Sequence, residues 1–180
     1  MSKFSTSSEK VLLQTDLFDV NEIDIVKESG EKTIWHSVQV KPVVAILALT
    51  EKKEIYLIKQ YRYRLKKTSF EIPAGYINQN EDPLDAAKRE LKEETGLEAK
   101  EWMLLGMRKV GANAVTGDFY YYFAQNLHSG EQRLDDSEDI QVLTVPFADA
   151  VEKAVTGEIL VNSNIVGIFL LKEFLSKHKK

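Results

Sequence analysis

Apolar positions in this chain fall into many short runs broken by turn-forming residues, and only a few stretches carry a helical period. Residues 1–10 are polar, with Ser5 to Ser8 in their midst, and read as a disordered lead-in. Residues 11–17, 21–27 and 33–40 are short and strand-like. Turn signals separate them at Asp19 and at Ser29-Gly30-Glu31, and the last two predict a hairpin. Three strands of this length enclose too little core to stand alone, so this piece must pack on something larger. Residues 43–50, VVAILALT, form a continuous apolar run suited to a strand buried on both faces. The polar turn Glu51-Lys52-Lys53 then leads into a strand at 54–60 and predicts a second hairpin. Residues 61–67 are basic and aromatic, and a short strand over 69–77 is interrupted by Pro73 and Gly75. Residues 82–95 are helical, with Asp82 as N-cap, Pro83 as first helical residue, Ala86, Ala87 and Leu91 on the apolar stripe and Gly96 closing the helix. Further strands are expected at 100–110, 118–125 and 140–146, and helices at 147–155 and 164–178. The order describes an α+β chain with a mixed sheet and a few covering helices, without repeats or low-complexity linkers.

Composition narrows the chemistry. The 180 residues suit one domain, or one domain plus a short appendage. With 24 Lys+Arg against 28 Asp+Glu the formal charge is −4, which lacks the cationic excess that nucleic-acid binding needs. There is no Cys, which removes disulfides, thiol nucleophiles and Cys-based metal sites together. Three scattered histidines, His36, His128 and His178, argue against a His-rich metal site or a Ser-His-Asp triad. No apolar run reaches the ~18 residues of a membrane span. The N-terminus has no signal-peptide core, so a cytoplasmic protein is expected, without membrane or nucleic-acid partners. Carboxylates and a bound hard cation are the remaining agents for demanding chemistry.

Those carboxylates are concentrated in the 82–95 helix. Glu90, Glu93 and Glu94 stand at i, i+3 and i+4 and project from one face. Like charges so placed repel one another. A hard cation such as Mg2+ or Mn2+ relieves the repulsion, takes oxygen ligands, and shares its coordination with substrate phosphates. From these residues alone two readings stay open: a cradle for a divalent cation on a pyrophosphate, or a solvated acidic face bridged to Lys88, Arg89 and Lys92.

The wider frame favours the first. Gly75, five residues, Glu81, seven residues, then Arg89-Glu90-Leu91-Lys92-Glu93-Glu94-Thr95-Gly96-Leu97 resembles the Nudix box, G-x5-E-x7-R-E-U-x-E-E-x-G-U, at every fixed position without a gap. The resemblance implies the Nudix fold, an α/β/α sandwich around a mixed sheet, and hydrolysis of a nucleoside diphosphate linked to another moiety. It implies Glu90 and Glu94 as principal metal ligands, Glu93 as third member of the metal cluster, and Glu81 as a secondary carboxylate. Arg89 would orient the glutamates, and the backbone carbonyl of Ala74 would join the ligands. Leu91 and Leu97 are core contacts in either reading.

Residues outside the box are similar to the ADP-ribose pyrophosphatase branch: Gln60-Tyr61-Arg62, Phe70-Glu71-Ile72-Pro73-Ala74-Gly75, and Ala86-Ala87 before Arg89. The resemblance covers roughly residues 11–175 and implies three parts: the lead-in 1–10, an N-terminal antiparallel β segment 11–40 that exchanges between subunits of a homodimer, and a hydrolase domain 41–180. It places Arg62 on substrate phosphate, where a guanidinium fork suits the oxygens, and Glu71 beside an arginine near the site or across the dimer. In the acidic stretch Asp135-Asp136-Ser137-Glu138-Asp139, Glu138 is the expected general base or additional metal ligand, with Asp136 the competing position. The implied catalytic set is therefore Glu138, Glu93 and Arg89, with Arg62 and Glu71 toward substrate and Ala74, Glu90, Glu94 and Glu93 toward the metal. A proline usual in that branch is missing from 110–117, where the Gly/Ala/Asn composition points to an open loop near the pocket. The expected reaction is Mg2+-dependent (or Mn2+-dependent) cleavage of ADP-ribose or a nucleotide sugar such as GDP-mannose to a nucleoside monophosphate and a sugar phosphate. The alternatives are a nucleoside triphosphate house-cleaning pyrophosphatase, which the N-terminal segment and Gln60-Tyr61-Arg62 oppose, and a non-catalytic nucleotide sensor, which the intact glutamates oppose.

Overall fold

The structure, a computed structural model, describes residues 3–132 and 139–178. Its strands are β1 (Phe4–Gln14), β2 (Phe18–Lys27), β3 (Lys32–Val40), β4 (Val43–Ala48), β5 (Glu54–Arg62), β6 (Lys67–Glu71), β7 (Ala74–Tyr76), β8 (Leu97–Lys109), β9 (Val115–Thr116), β10 (Asp118–Ser129) and β11 (Ile140–Pro146). Its helices are α1 (Pro83–Thr95), α2 (Phe147–Thr156) and α3 (Asn162–Lys177). The chain divides into two compact units, Met1–Pro42 with Arg108–Asp118, and Val43–Met107 with Phe119–Lys180.

The smaller unit is one sheet in the order β1-β2-β3-β9. The β2–β3 hairpin forms as its turn signal predicts, pairing Phe18 with Val40 through Val26 with Lys32. Residues 4–10 are strand, which corrects the expected disordered lead-in. Strand pairing needs backbone N–H and C=O groups rather than apolar side chains. The serines add to it: Ser7 Oγ donates to the Asp24 carbonyl at 3.2 Å and Ser8 Oγ to the Asp24 carboxylate at 2.6 Å. The 110–117 stretch, expected as an open loop, supplies β9, which pairs in parallel with β3 (Val38 with Val115, Gln39 with Thr116).

The larger unit is built around β4. All six of its residues are buried, and their alternation splits the core in two. Val44, Ile46 and Ala48 face a cluster with Ala86, Ala87 and Leu91 of α1 and with Tyr122 and Ala124 of β10. Ala45 and Leu47 face a cluster with Ile55 and Leu57 of β5, Ala150 of α2, and Ile168 and Leu171 of α3. The result is an α+β arrangement with helices on both faces of the mixed sheet β7-β4-β10-β8 and a second sheet, β11-β5-β6. Burial on both faces also explains a second correction. The expected hairpin of β4 with β5 is limited to a bridge between Leu49 and Ile55. Beyond it the strands part, β4 lying parallel to β10 and antiparallel to β7, and β5 lying between β6 and β11.

Candidate active site

Helix α1 carries the site, and its ends are fixed locally. Asp82 accepts from the Leu84 N–H at 2.8 Å, Pro83 follows, and Gly96 in the left-handed region (φ 69°) donates its N–H to the Lys92 carbonyl. Ala86, Ala87 and Leu91 pack inward with Glu94 buried beside them, and Glu90, Glu93 and Arg89 follow along the adjoining edge of the helix, toward β7 and the loop after it.

Arg89 organises that face. Its Nε and Nη2 donate to the two oxygens of Glu81 at 2.8 and 2.9 Å, its Nη1 to Glu90 at 2.7 Å and Glu93 at 2.9 Å, and its Nη2 to the Tyr76 carbonyl at 2.9 Å. The neighbouring lysines are engaged elsewhere, Lys88 with Asp85 and Lys92 with Glu98. The glutamates are therefore not a solvated face bridged to lysines. One guanidinium gathers three of them, and Glu94 is buried at 4% exposure. The fork from Arg89 lowers the Glu81 carboxyl below the ordinary glutamate range, and the Asn78 N–H bonded to it at 2.9 Å acts in the same direction. Arg89 is in turn raised, chiefly by Glu81 and against the cost of its own partial burial.

Two contacts join the helix to β7. Glu94 Oε2 accepts from the Ala74 N–H at 2.9 Å. The Glu90 carboxylate lies directly over Gly75, in the space a Cβ at that position would occupy. Gly75 is thus required by close approach of a side chain and not by backbone conformation.

Among the described residues no three His, Asp or Glu side chains form a closed metal cage. The donor set nevertheless fits a hard cation. Glu90, Glu93 and Glu94 offer only oxygen; Arg89 gathers Glu81, Glu90 and Glu93, and Glu94 follows on the same helix, bonded to the Ala74 N–H. Mg2+ typically takes one or two carboxylates, keeps waters and shares phosphate oxygens, so it needs no closed cage.

The arginine expected beside Glu71 is Arg62: its Nε and Nη2 donate to the two carboxylate oxygens at 2.8 and 2.7 Å, with the Glu71 side chain only 6% exposed. Glu138 and Asp136 lie outside the described residues. Two supporting groups escaped the sequence reading. The Tyr76 carbonyl takes part of Arg89, which no side-chain pattern reveals. Asn164, 4% exposed, accepts the Ile72 N–H through Oδ1 at 3.1 Å. Its one signal was a polar residue at the start of an otherwise apolar helix.

A family model described as the NUDIX domain matches residues 40–160. An ADP-ribose pyrophosphatase of Bacillus subtilis is 29% identical over 95% of this chain and 97% of its own length. A GDP-mannose pyrophosphatase of Escherichia coli is 29% identical over 88% of this chain and 90% of its own. A solved structure titled as that of an ADP compounds hydrolase superimposes with a TM-score of 0.87 at 20% identity, covering 99% of this chain and 97% of that one. The domain match spans well over half the sequence and contains the whole Arg89-centred glutamate cluster, so the chain belongs to the Nudix family and is a Nudix pyrophosphohydrolase.

Proposed function

We propose that this protein hydrolyses the pyrophosphate bond of ADP-ribose or of a nucleotide sugar such as GDP-mannose, in a Mg2+-dependent reaction that yields a nucleoside monophosphate and a sugar phosphate. The observation that carries the reading is the gathering of Glu81, Glu90 and Glu93 on Arg89 beside the buried Glu94. The printed activities of the relatives supply the substrate class. Glu90, Glu94, Glu93 and the Ala74 carbonyl would hold the cation, with Mn2+ as the other ion of suitable chemistry. A bound divalent cation offsets charge on the diphosphate and lowers the pKa of an attacking water. Arg89 keeps the glutamates in one orientation while their mutual repulsion pushes them apart. Arg62, whose Nε and Nη2 are bonded to Glu71, would reach a phosphate oxygen through Nη1. Glu138 orients or deprotonates the water.

We also infer a homodimer. Every residue of β1 is exposed, and Val11, Leu12, Leu13, Ile34 and Trp35 leave apolar surface uncovered on the smaller unit.

The test is a panel of nucleoside diphosphate derivatives and nucleoside triphosphates with Mg2+, separated by ion-exchange chromatography. AMP from ADP-ribose or GMP from GDP-mannose, abolished by EDTA, is the expected result. Pyrophosphate from triphosphates alone would move the reading to house-cleaning hydrolysis. Tight nucleotide binding without any product would make the protein a sensor.

A further inference from the structure

The basic, aromatic run at 61–67 has no role so far beyond Arg62. It turns the chain from β5 into β6 through two overlapping turns. The Leu65 N–H donates to the Arg62 carbonyl at 3.0 Å, the Lys66 N–H donates to the Tyr63 carbonyl at 3.3 Å, and Lys66 is left-handed (φ 52°). Beside it lies a cavity of about 490 Å³ whose walls include Gln60, Tyr61, Arg62, Tyr63, Arg64 and Asp139, a volume within the range of small-molecule sites. The register of β11 on β5, Ile140 opposite Gln60, brings Asp139 to this end of the sheet.

The walls combine three chemistries. Arg62 is held by the nearly buried Glu71, so its guanidinium is fixed in orientation. Arg64 and Asp139 have no ion-pair partner among the described residues, although opposite charges line the same cavity. Arg64 calls for an anion, while the Arg62 charge is already met by Glu71. The Asp139 carboxylate repels a bare polyanion but accepts hydroxyl protons, and the Gln60 amide both donates and accepts. Tyr61 and Tyr63 meet edge to face, 5.3 Å between ring centres at 89°. Such a pair offers one ring face and one edge to a puckered, C–H-rich ring, and no parallel slot for a flat base.

We propose that this cavity binds the sugar-phosphate half of the substrate, with Arg64 on its phosphate and Asp139 on its hydroxyls. The assignment rests on the pyrophosphatase reading and divides the substrate: the nucleotide half lies elsewhere.

Arg64→Ala tests it, because Arg64 lies in a turn outside the strand ladders. The variant is compared with wild type for KM and kcat on ADP-ribose and GDP-mannose, and for product inhibition. KM and the inhibition constants of ribose 5-phosphate or mannose 1-phosphate are expected to rise roughly 10–100-fold, the range of a lost charged hydrogen bond. Inhibition by AMP or GMP stays as it was, and kcat falls less than KM rises. Asp139→Asn should weaken the sugar phosphate in the same selective way. Weakened nucleotide inhibition, or no change in either product, overturns the assignment. If wild type cleaves no nucleoside diphosphate derivative, the pyrophosphatase reading fails by itself, and NMR then decides the cavity. Ribose 5-phosphate or mannose 1-phosphate should shift the Tyr61 and Tyr63 ring signals in wild type but not in Arg64→Ala. Unmoved signals in wild type overturn the proposal.

Discussion

Arg89 shows how single residues set this site. A guanidinium has five N–H donors, and here five hydrogen bonds run to Glu81, Glu90, Glu93 and the Tyr76 carbonyl. A lysine could not reproduce that fork. The glutamates around it are best separated by conservative changes. Glu94→Gln keeps an oxygen to accept the Ala74 N–H and removes the charge, so turnover with Mg2+ should nearly vanish while the melting temperature holds; near-normal activity at saturating Mg2+ would remove Glu94 from the metal. Gly75→Ala puts a methyl group where the Glu90 carboxylate lies. The carboxylate, at the end of a flexible side chain, can swing away, so circular dichroism should show an intact fold while kcat falls by roughly 10²-fold, the scale of a misplacement near 1 Å. Glu138→Gln should lower kcat by roughly 10²–10⁴-fold with little change in substrate binding if Glu138 is the base. A full-rate Glu138→Gln beside a crippled Asp136→Asn would give the role to Asp136.

At the scale of elements, the site depends on a break in a strand. Pro73 has no N–H and separates β6 from β7, which lets β6 join the β5 sheet and β7 the β4 sheet. The break leaves backbone groups without ladder partners. Ile46 donates its N–H to the Pro73 carbonyl at 2.8 Å, and Asn164 of α3 accepts the Ile72 N–H. The link from Asn164 spans 92 positions of sequence and fixes the segment that carries Ala74 and Gly75. Asn164→Ala should therefore cost roughly 1–3 kcal/mol, the penalty of a buried unsatisfied N–H, read as a lower midpoint in urea. It should also reduce activity more than an Ala substitution at the exposed Lys172, because Glu94 and Glu90 take their positions from this segment. Equal midpoints for Asn164→Ala and wild type would show that the bond contributes nothing.

For the whole molecule, the two units differ in how they bury apolar surface. The larger has two core clusters on either side of β4. The smaller is a single sheet in which Ile25 is the one apolar side chain classed as buried among the described residues. A single layer gains little hydrophobic stabilisation, and Val11, Leu12, Leu13, Ile34 and Trp35 remain available for a second copy. Light scattering at micromolar concentration should therefore give about twice the 20.5 kDa chain mass. A monomer mass there would count against the dimer, and loss of the dimer in Leu13→Lys would locate its surface on β1.

Sequence alone determined what depends on local geometry and fixed spacing. The α1 limits follow from Asp82, Pro83 and Gly96. The shared face of Glu90, Glu93 and Glu94 follows from the helical repeat, and the burial of β4 from its unbroken apolar run. The box frame of Gly75, Glu81 and Arg89 to Leu97 carried the family and hence the fold. Tertiary structure decided what depends on distant partners. Residues 4–10 become strand because β2 offers a ladder, a fact invisible in their polar side chains. The turn at 51–53 predicted a hairpin, yet β4 left β5 because a strand buried on both faces must sit centrally in its sheet. The β5–β6 register sets Arg62 opposite Lys67 and Glu71 opposite Ile58, so only the folded side chains identify Arg62 as the arginine expected beside Glu71. Helix spacing alone left open which cation holds the glutamates, since Lys88, Arg89 and Lys92 are all within reach, and only the box resemblance pointed to Arg89. The folded chain sends Lys88 to Asp85 and Lys92 to Glu98 and leaves Arg89 at the centre, because only a rigid five-donor fork can satisfy three carboxylates and a carbonyl at once.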